Sequence, residues 1–332
     1  MIIHLKPNSL PNQIAQIAER LEAIYVKLGE KDVLIFSHKV KEIPESIADQ
    51  VGQVFHFDSD IQLAAKSYKK KQDAIHLGKE QLGGNSQNTM MMAGPCSVES
   101  LEQITESASF LSGLGITTMR AGCFKPRTSP YTFQGLGQRG LELLSEMRAK
   151  YGLKIITEVK DSSHVNQVIE MADIVQIGTK AMYDQSILTA CGKSSKPVLL
   201  KRGFGTTLQE FVQAAEFIMC RGNEQVILCE RGIRTFETKT RFTLDLTGVA
   251  YLKEYTNLPI VVDPSHAMGY RYGVPDLARA AVAMGIDGLL IETHPNPSQA
   301  KSDADQQLDH AAFAELYASL GKVANAVNRK LI

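Results

Sequence analysis

The sequence predicts an α/β protein: a (β/α)8 TIM barrel preceded by a small ferredoxin-like α+β domain. Two observations predict it. A short apolar strand, a polar turn and an amphipathic helix recur eight times over roughly 240 residues. Charged side chains also gather just beyond these strands, in a chain whose 36 basic and 36 acidic residues cancel. A length of 332 residues holds such a barrel and an accessory module.

The accessory module comes first. Ile2–Leu5 reads as a strand stopped by Pro7. Ile14, Ile17, Ala18, Leu21 and Ile24 then recur at helical spacing, with Ser9 as cap and Pro11 in the first turn. Tyr25–Leu28 and Val33–Phe36 flank Gly29-Glu30-Lys31-Asp32, a hairpin signal. A short helix is expected over Pro44–Gln50 and a strand over Val54–Phe57. The order βαββαβ is that of the split-βαβ sandwich. His4, His38 and His56 are scattered and read as surface or sheet residues. Lys69-Lys70-Lys71 reads as a solvated helix face or linker, because three lysines do not make a nucleic-acid patch. The expected division is 1–72 for this domain and 73–332 for the barrel domain, with 73–92 as linker and hairpin.

Gly83-Gly84-Asn85-Ser86 marks a turn. The expected hairpin pairs Ile75–Leu77 with Thr89–Met92 and plugs the bottom of the barrel. Barrel strands are expected at Met90–Ala93, Thr117–Met119, Lys154–Thr157, Ile174–Ile177, Val198–Leu200, Val226–Leu228, Ile260–Val262 and Gly288–Ile291. Continuous apolar runs fit strands buried on both faces. Helices are expected between them, as at Leu208–Cys220 and Pro275–Met284.

Bulk properties narrow the function. Hydrophobic residues make up 44% and charged residues 22%, as in ordinary soluble globular proteins. Zero net charge argues against a nucleic-acid partner bound through bulk charge. The five cysteines are an odd number without CxxC spacing, so neither a disulfide framework nor a zinc ribbon is indicated. The first residues lack the features of a signal peptide, and no apolar run reaches membrane-spanning length. A cytoplasmic, reducing compartment and no membrane partner are the expectation.

TIM barrels place their chemistry at the C-terminal ends of the strands. Here those ends offer Cys96, Arg120, Lys125, Arg127, Glu158, Lys180, Lys201, Arg202, Arg231, Arg234, Asp263, His266, Glu292 and His294. So many cations imply a highly charged substrate, or two phosphorylated ones. Cys96, His266, Glu292 and Asp303 together suit a borderline or hard divalent ion. Each also has a plain reading: Cys96 as a small core residue, His266 as a helix cap, Asp303 as a loop residue capping Gln306 or Gln307.

Several runs carry a family likeness. Ala93-Gly94-Pro95-Cys96-Ser97-Val98-Glu99 is one. Lys125-Pro126-Arg127-Thr128-Ser129-Pro130-Tyr131, followed by Phe133-Gln134-Gly135-Leu136-Gly137, is the most telling. Pro197 to Gly203, Ile227 to Phe236, Val262-Asp263-Pro264-Ser265-His266 and Ser302-Asp303 with Gln306-Gln307-Leu308 complete the set. They resemble the 3-deoxy-D-arabino-heptulosonate 7-phosphate (DAHP) synthases of the short bacterial class, type I beta, over the whole barrel. The N-terminal segment resembles, less distinctly, the ferredoxin-like regulatory domain of some members.

The resemblance implies condensation of phosphoenolpyruvate (PEP) with erythrose 4-phosphate and water, the first step of the shikimate pathway. It implies a divalent metal, Mn²⁺ foremost with Fe²⁺, Co²⁺ or Zn²⁺ as alternatives, on Cys96, His266, Glu292 and Asp303. Arg120, Lys125, Lys201 and Arg231 would hold PEP, and Arg127, Thr128 and Ser129 the aldose phosphate. Lys125, Cys96 and His266 would be catalytic. A Tyr or Phe effector and a homotetramer are also implied.

The alternative within the fold is 3-deoxy-D-manno-octulosonate 8-phosphate synthase, which takes arabinose 5-phosphate. That family typically has Asn where this chain has Arg127, which favours the four-carbon sugar. A non-catalytic binding protein on a barrel scaffold is disfavoured, because no ligand or phosphate-binding position is lost. Two departures are Phe242, where Asn is frequent, and the run Gly178 to Gln185. Both are expected to affect helix contacts or a subunit face. Cys123 is expected near Cys96 and able to form a disulfide with it in the metal-free enzyme.

Overall fold

The computed structural model describes residues 1–7, 11–84, 86–125 and 129–332. Ser9, Arg127 and Thr128 therefore lie outside the described residues.

The chain opens with β1 (Ile2–Leu5), α1 (Pro11–Arg20), β2 (Ile24–Leu28), β3 (Lys31–Ile35), a 3-10 turn (Glu45–Gln50) and β4 (Val51–Phe55). The strands form an antiparallel sheet in the order β2-β3-β1-β4, the order of a split βαβ sandwich. Helix α1 ends before the expected Ile24, because Glu22 turns left-handed (φ 53°) and the Ala23 amide donates back to Ala18. The expected second helix is only the 3-10 turn. β4 begins three residues early, matched to a register shift at His4/Leu5.

Strand β1 is buried on both faces. Ile3 and Leu5 pack with Ile14, Ala18, Leu34 and Ile47 on the helix side. Ile2, with Val26, Val33 and Ile35, joins the large core that runs on into the barrel.

The junction is riveted rather than loose. The Glu216 carboxylate accepts the backbone N–H groups of Gln62 (2.7 Å), Leu63 (3.2 Å) and Ala64 (2.8 Å). From the other side, Asn257 Nδ2 donates to Leu63 and Ala65 carbonyls, at 2.8 and 3.3 Å. Lys69 lies in the following turn and pairs with Asp73 and Glu224, so it is neither on a helix nor freely solvated.

The hairpin differs from expectation. It joins β5 (Ala74–Leu77) to β6 (Glu80–Gly83) through Gly78-Lys79, and the Gly83-Gly84 turn instead leads out of it. Thr89 to Met92 belong to the first barrel strand. The plug itself is present: Ile75, Leu77 and Leu82 pack with inward side chains of the barrel.

The barrel strands are β7 (Asn88–Gly94), β8 (Thr118–Arg120), β9 (Lys154–Val159), β10 (Ile174–Ile177), β11 (Val198–Lys201), β12 (Val226–Glu230), β13 (Ile260–Val262) and β14 (Gly288–Glu292). All neighbours are parallel, and β14 pairs with β7 to close the ring. The eight expected strands are all present, with ends shifted by at most two residues. Connecting helices are α2 (Leu101–Gly113), α3 (Gln138–Tyr151), α4 (Val165–Met171), α5 (Gln185–Gly192), α6 (Leu208–Met219), α7 (Leu246–Tyr255), α8 (Pro264–Met268), α9 (Val274–Ala283) and α10 (His310–Ala326). A short β15 (Lys330–Leu331) adds to β7 at the bottom. No helix among the described residues is long and apolar enough to cross a membrane.

Side-chain alternation then decides what points where. Met90, Met92, Ile156, Ile174, Leu199, Ile227, Cys229, Val261 and Leu290 face the axis. Their neighbours Met91, Ile155, Val175, Val198, Leu228, Val262 and Ile291 face the helices. Two residues beyond each last inward apolar side chain the same face reaches the rim. Gly94 sits there after Met92, at φ 147° with an added Cβ meeting Arg120 O at 2.2 Å, so only glycine fits the crossing.

Glu216 is partly covered as a residue, but its carboxylate end is enclosed, and burial outweighs the three amides to raise its pKa to about 7. Its folded pKa exceeds the unfolded value. Its stabilising contribution is therefore full below about pH 4.5 and is lost as pH rises through about 7. Glu216→Gln is expected to flatten the pH dependence of Tm between about pH 5 and pH 8. It should also speed amide exchange at Gln62, Leu63 and Ala64. An unchanged pH profile and unchanged exchange at those amides would contradict this account.

Candidate active site

The inward positions at the top of the strands change from apolar to charged. Thr118 is followed on that face by Arg120, Ile156 by Glu158, Leu199 by Lys201, Cys229 by Arg231, Val261 by Asp263 and Leu290 by Glu292. Glu158, Lys201 and Arg231 open onto a cavity of about 240 Å³, also lined by Lys125, Gly178, Thr179, Lys180, Arg241, His266 and Asp303.

Four donors meet on one side of it. A thiol or carboxylate atom from each of Cys96, Glu292 and Asp303 lies within 4.8 Å of the others. His266 Nε2 is 3.5 Å from Glu292 Oε1 and 3.9 Å from Asp303 Oδ2. The orientation of His266 is built in by Asp263. Asp263 caps α8, accepting the His266 backbone N–H at 3.0 Å, while Pro264 occupies the first helical position. Its Oδ2 lies 2.7 Å from His266 Nδ1 and 2.6 Å from Lys201 Nζ. A proton on Nδ1 thus bonds to Asp263 and leaves the Nε2 lone pair aimed at the carboxylates, the arrangement of metal-ligating histidines. Sulfur, imidazole and two carboxylates fit a borderline divalent ion.

The electrostatics are those of a site awaiting charge. Burial first, then Glu292, pushes the Cys96 thiol up to about 12. Burial also lowers the His266 pKa, against the pull of Asp263. Burial would raise the Asp303 and Glu292 carboxyls, but His266 and nearby cations outweigh it and keep both low. Lys125 Nζ donates to Cys96 Sγ at 3.0 Å and to Cys96 O at 3.1 Å.

Cys96 and Asp303 depart from their plain readings. Cys96 is fully buried but faces Ser302 Oγ (3.0 Å), Asp303 Oδ2 (3.3 Å) and Lys125 rather than apolar core. Asp303 adopts a left-handed backbone (φ 48°). Gln307 props this loop by accepting the Cys96 N–H at 2.9 Å and donating to Ser302 O at 2.8 Å. Gln306 donates to Glu292 Oε2 at 2.6 Å and accepts from Arg241 at 2.8 Å.

The expected cation cluster divides in two. Lys125, Lys201 and Arg231 reach the cavity. Arg120 is buried beside it, donating to Glu292 (2.7 Å) and Pro95 O (2.9 Å). Arg202 turns away: one residue past inward-facing Lys201, it pairs on the helix side with Glu230 (2.9 Å) and Asp245 (2.8 Å). Arg234 is exposed and lies over Phe204, 4.7 Å from the ring centroid. Ser129 Oγ accepts the Tyr131 N–H at 3.3 Å, and Ser129 is not among the cavity-lining residues.

Arg231 stands out chemically. It is buried, and its Nε and Nη1 have no hydrogen-bond partner among the described residues. Burial lowers its pKa, which an arriving anion would reverse. Phe242 lies under it, 4.5 Å away, and stacks on Phe204 at 5.8 Å. The expectation that Phe242 concerns only helix contacts or a subunit face is therefore corrected: it supports a cavity cation. Cys123 and Cys96 are both free, and Cys123 Sγ faces α3, where a Cβ on Gly140 would meet it at 3.1 Å. Cys96 Sγ faces the cavity side.

Sequence reasoning placed Asp263, Glu158 and Lys180 at the rim without a role, named Gln306 and Gln307 only within a motif or as capped by Asp303, and gave Arg241 no role. Arg241 and Lys180 arrive on loops, where no periodicity predicts direction.

The profile of the DAHP synthetase I family matches residues 63–329, which includes every donor of the site. The chain belongs to that family. A phospho-2-dehydro-3-deoxyheptonate aldolase of Thermotoga maritima is 42% identical over 340 residues, covering all of both chains. A crystal structure of phospho-2-dehydro-3-deoxyheptonate aldolase (DAHP synthase) from that organism superposes with a TM-score of 0.81 at 40% identity, covering 100% of this chain and 99% of the other. A truncated form of the T. maritima synthase matches 81% of this chain with a TM-score of 0.76. A 2-dehydro-3-deoxyphosphooctonate aldolase of Methylobacillus flagellatus is 35% identical but aligns with only 66% of this chain. In this DAHP synthetase I family member, then, the N-terminal sheet unit and the barrel both have a counterpart in a full-length relative.

The two kinds of arginine should separate in experiment. Arg202→Ala strands the buried Glu230 carboxylate and the partly buried Asp245 and is expected to cost about 3–5 kcal/mol of stability in urea unfolding. Arg231→Met removes an unpaired buried charge and should leave stability equal or higher. Equal losses for the two would refute the distinction.

Proposed function

We propose that the rim cavity condenses phosphoenolpyruvate with erythrose 4-phosphate and water, giving DAHP and phosphate. The observation that carries the reading is the Arg231 guanidinium, whose Nε and Nη1 have no partner among the described residues, opening with Lys125, Lys201, Lys180 and Arg241 onto one cavity beside a Cys/His/Glu/Asp donor set. Two phosphorylated substrates bring anions to match these cations.

In this reading Arg120, Lys125, Lys201 and Arg231 hold the carboxylate and phosphate of PEP. Arg127, Thr128 and Ser129 hold the aldose phosphate. Cys96, His266, Glu292 and Asp303 hold the divalent ion, Mn²⁺ foremost. That ion, when bound, supplies Lewis-acid polarisation of the aldehyde. PEP carbon 3 forms the new bond to the aldehyde carbon, water adds at PEP carbon 2, and phosphate leaves by C–O cleavage. Lys125 Nζ, already beside Cys96, is placed to give a proton to the aldehyde oxygen as its charge develops. Asp263 pairs with Lys201 and keeps His266 oriented throughout. Phe242 fixes the plane of Arg231 against the PEP phosphate.

The experiment is PEP consumption with erythrose 4-phosphate or arabinose 5-phosphate, before and after EDTA, then with Mn²⁺ restored. Expected are preference for the four-carbon sugar, loss of activity with EDTA and recovery with Mn²⁺. Cys96→Ala should lose metal-dependent activity by more than about 100-fold. Preference for arabinose 5-phosphate, or full activity in Cys96→Ala, would overturn the assignment.

The N-terminal unit, with the boundary near residue 72, is inferred to be regulatory, with Tyr or Phe as effector and a homotetramer as the assembly. Its support is a separate apolar core and a fixed junction to the barrel. Removing residues 1–61 should keep the condensation and abolish inhibition by either amino acid. Unchanged inhibition in the shortened protein would end this reading.

A further inference from the structure

Glu99 and His294 are both buried, at 8% and 4% exposure, and neither lines the cavity. They nevertheless meet where three loops converge. Glu99 lies three residues after Cys96, at the entry to α2. His294 lies two residues after Glu292. Lys301, which Glu99 holds, lies two residues before Asp303.

The contacts are specific. Glu99 Oε1 accepts the Lys301 backbone N–H at 2.9 Å and the Ser97 hydroxyl at 3.2 Å. Its other oxygen, Oε2, lies 3.6 Å from His294 Nε2, an ion-pair distance. His294 Nδ1 accepts the Asn296 N–H at 3.0 Å, which turns Nε2 towards Glu99, although Nε2 makes no hydrogen bond among the described residues. Gln103 closes the cluster, accepting the Glu99 N–H at 3.2 Å and donating to Ser97 O at 3.3 Å. Burial alone would raise the Glu99 pKa, but His294 and the Lys301 amide outweigh it and keep the carboxylate ionised.

We propose that the Glu99–His294 pair is a positioning strut for the donor set, tying together the loops that carry Cys96, Glu292 and Asp303. The proposal rests on the reading that these residues hold a divalent ion. Its mechanical need is plain at Asp303, whose left-handed backbone is disfavoured for a residue with a side chain. A loop held there only by its own turn would relax. Glu99 grips it two residues upstream, and Gln307 grips Ser302 O directly. Neither Glu99 nor His294 touches the cavity, so both act through the ligands and are positioning residues.

The test is a Co²⁺ titration of the full-length, metal-stripped protein, followed by the thiolate-to-cobalt absorption band. Tm of the metal-free protein is measured in parallel. The variants are Glu99→Gln, His294→Leu, His294→Gln and the Glu99→Gln/His294→Leu double. Glu99→Gln and His294→Leu are expected to weaken Co²⁺ binding by about 10–100-fold, with little change in metal-free Tm. His294→Gln keeps an N–H near the Nε2 position and should recover most of the affinity. The double variant should be no weaker than the worse single, since the two residues act as one unit.

Unchanged Co²⁺ affinity in Glu99→Gln, with a lowered metal-free Tm, would overturn the strut and leave a purely structural pair. If His294→Leu fails to fold, the milder His294→Gln and Glu99→Gln carry the decision alone. Wild-type protein that takes up no Co²⁺ would instead overturn the reading of the donor set. The two failures are thus told apart.

Discussion

The constraint on which the rest depends is closure of the parallel ladder, with β14 paired to β7. Closure gives all eight strands a common axis, so a period of two in each becomes a layer in all of them. Lower layers are apolar and merge with the hairpin plug. The last inward position is charged in most strands. A sheet left open at that seam would scatter the same side chains along an edge. Ring closure is therefore what turns separate strand ends into one cavity.

That cavity opposes folding locally. Arg120–Glu292 and Lys201–Asp263 are buried ion pairs whose desolvation roughly cancels their attraction. Arg231 is worse, having no partner for Nε or Nη1 among the described residues. The surrounding structure carries this cost through an extensive apolar core and through fixed loops. Asp263 shows how much one residue is asked to do: it caps a helix, pairs Lys201 and sets the face of His266. Groups held this way need little reorganisation as charge develops, which is the main source of electrostatic catalysis.

The barrel was readable because its signal is repeated and local. Eight apolar runs, seven of them followed within three residues by a charged one, placed every strand within two residues of its ends. The four proposed metal donors were also readable, each from its strand end or motif. What failed depends on direction or partner choice. The hairpin was paired with the wrong segment because Gly83-Gly84 and Gly78-Lys79 both read as turns. Arg202 looked like its neighbour Lys201, yet the pleat sends adjacent side chains to opposite faces. Phe242 reaches Arg231 from a loop whose course no period encodes. The N-terminal helix ended early on a left-handed Glu22, a conformation that composition does not announce.

The plugging hairpin has a consequence for traffic. Ile75, Leu77 and Leu82 fill the axis from below, so the barrel is a vessel with one mouth rather than a tube. Traffic to the rim site is thereby confined to the C-terminal ends of the strands, by a hairpin that lies at the opposite end of the axis.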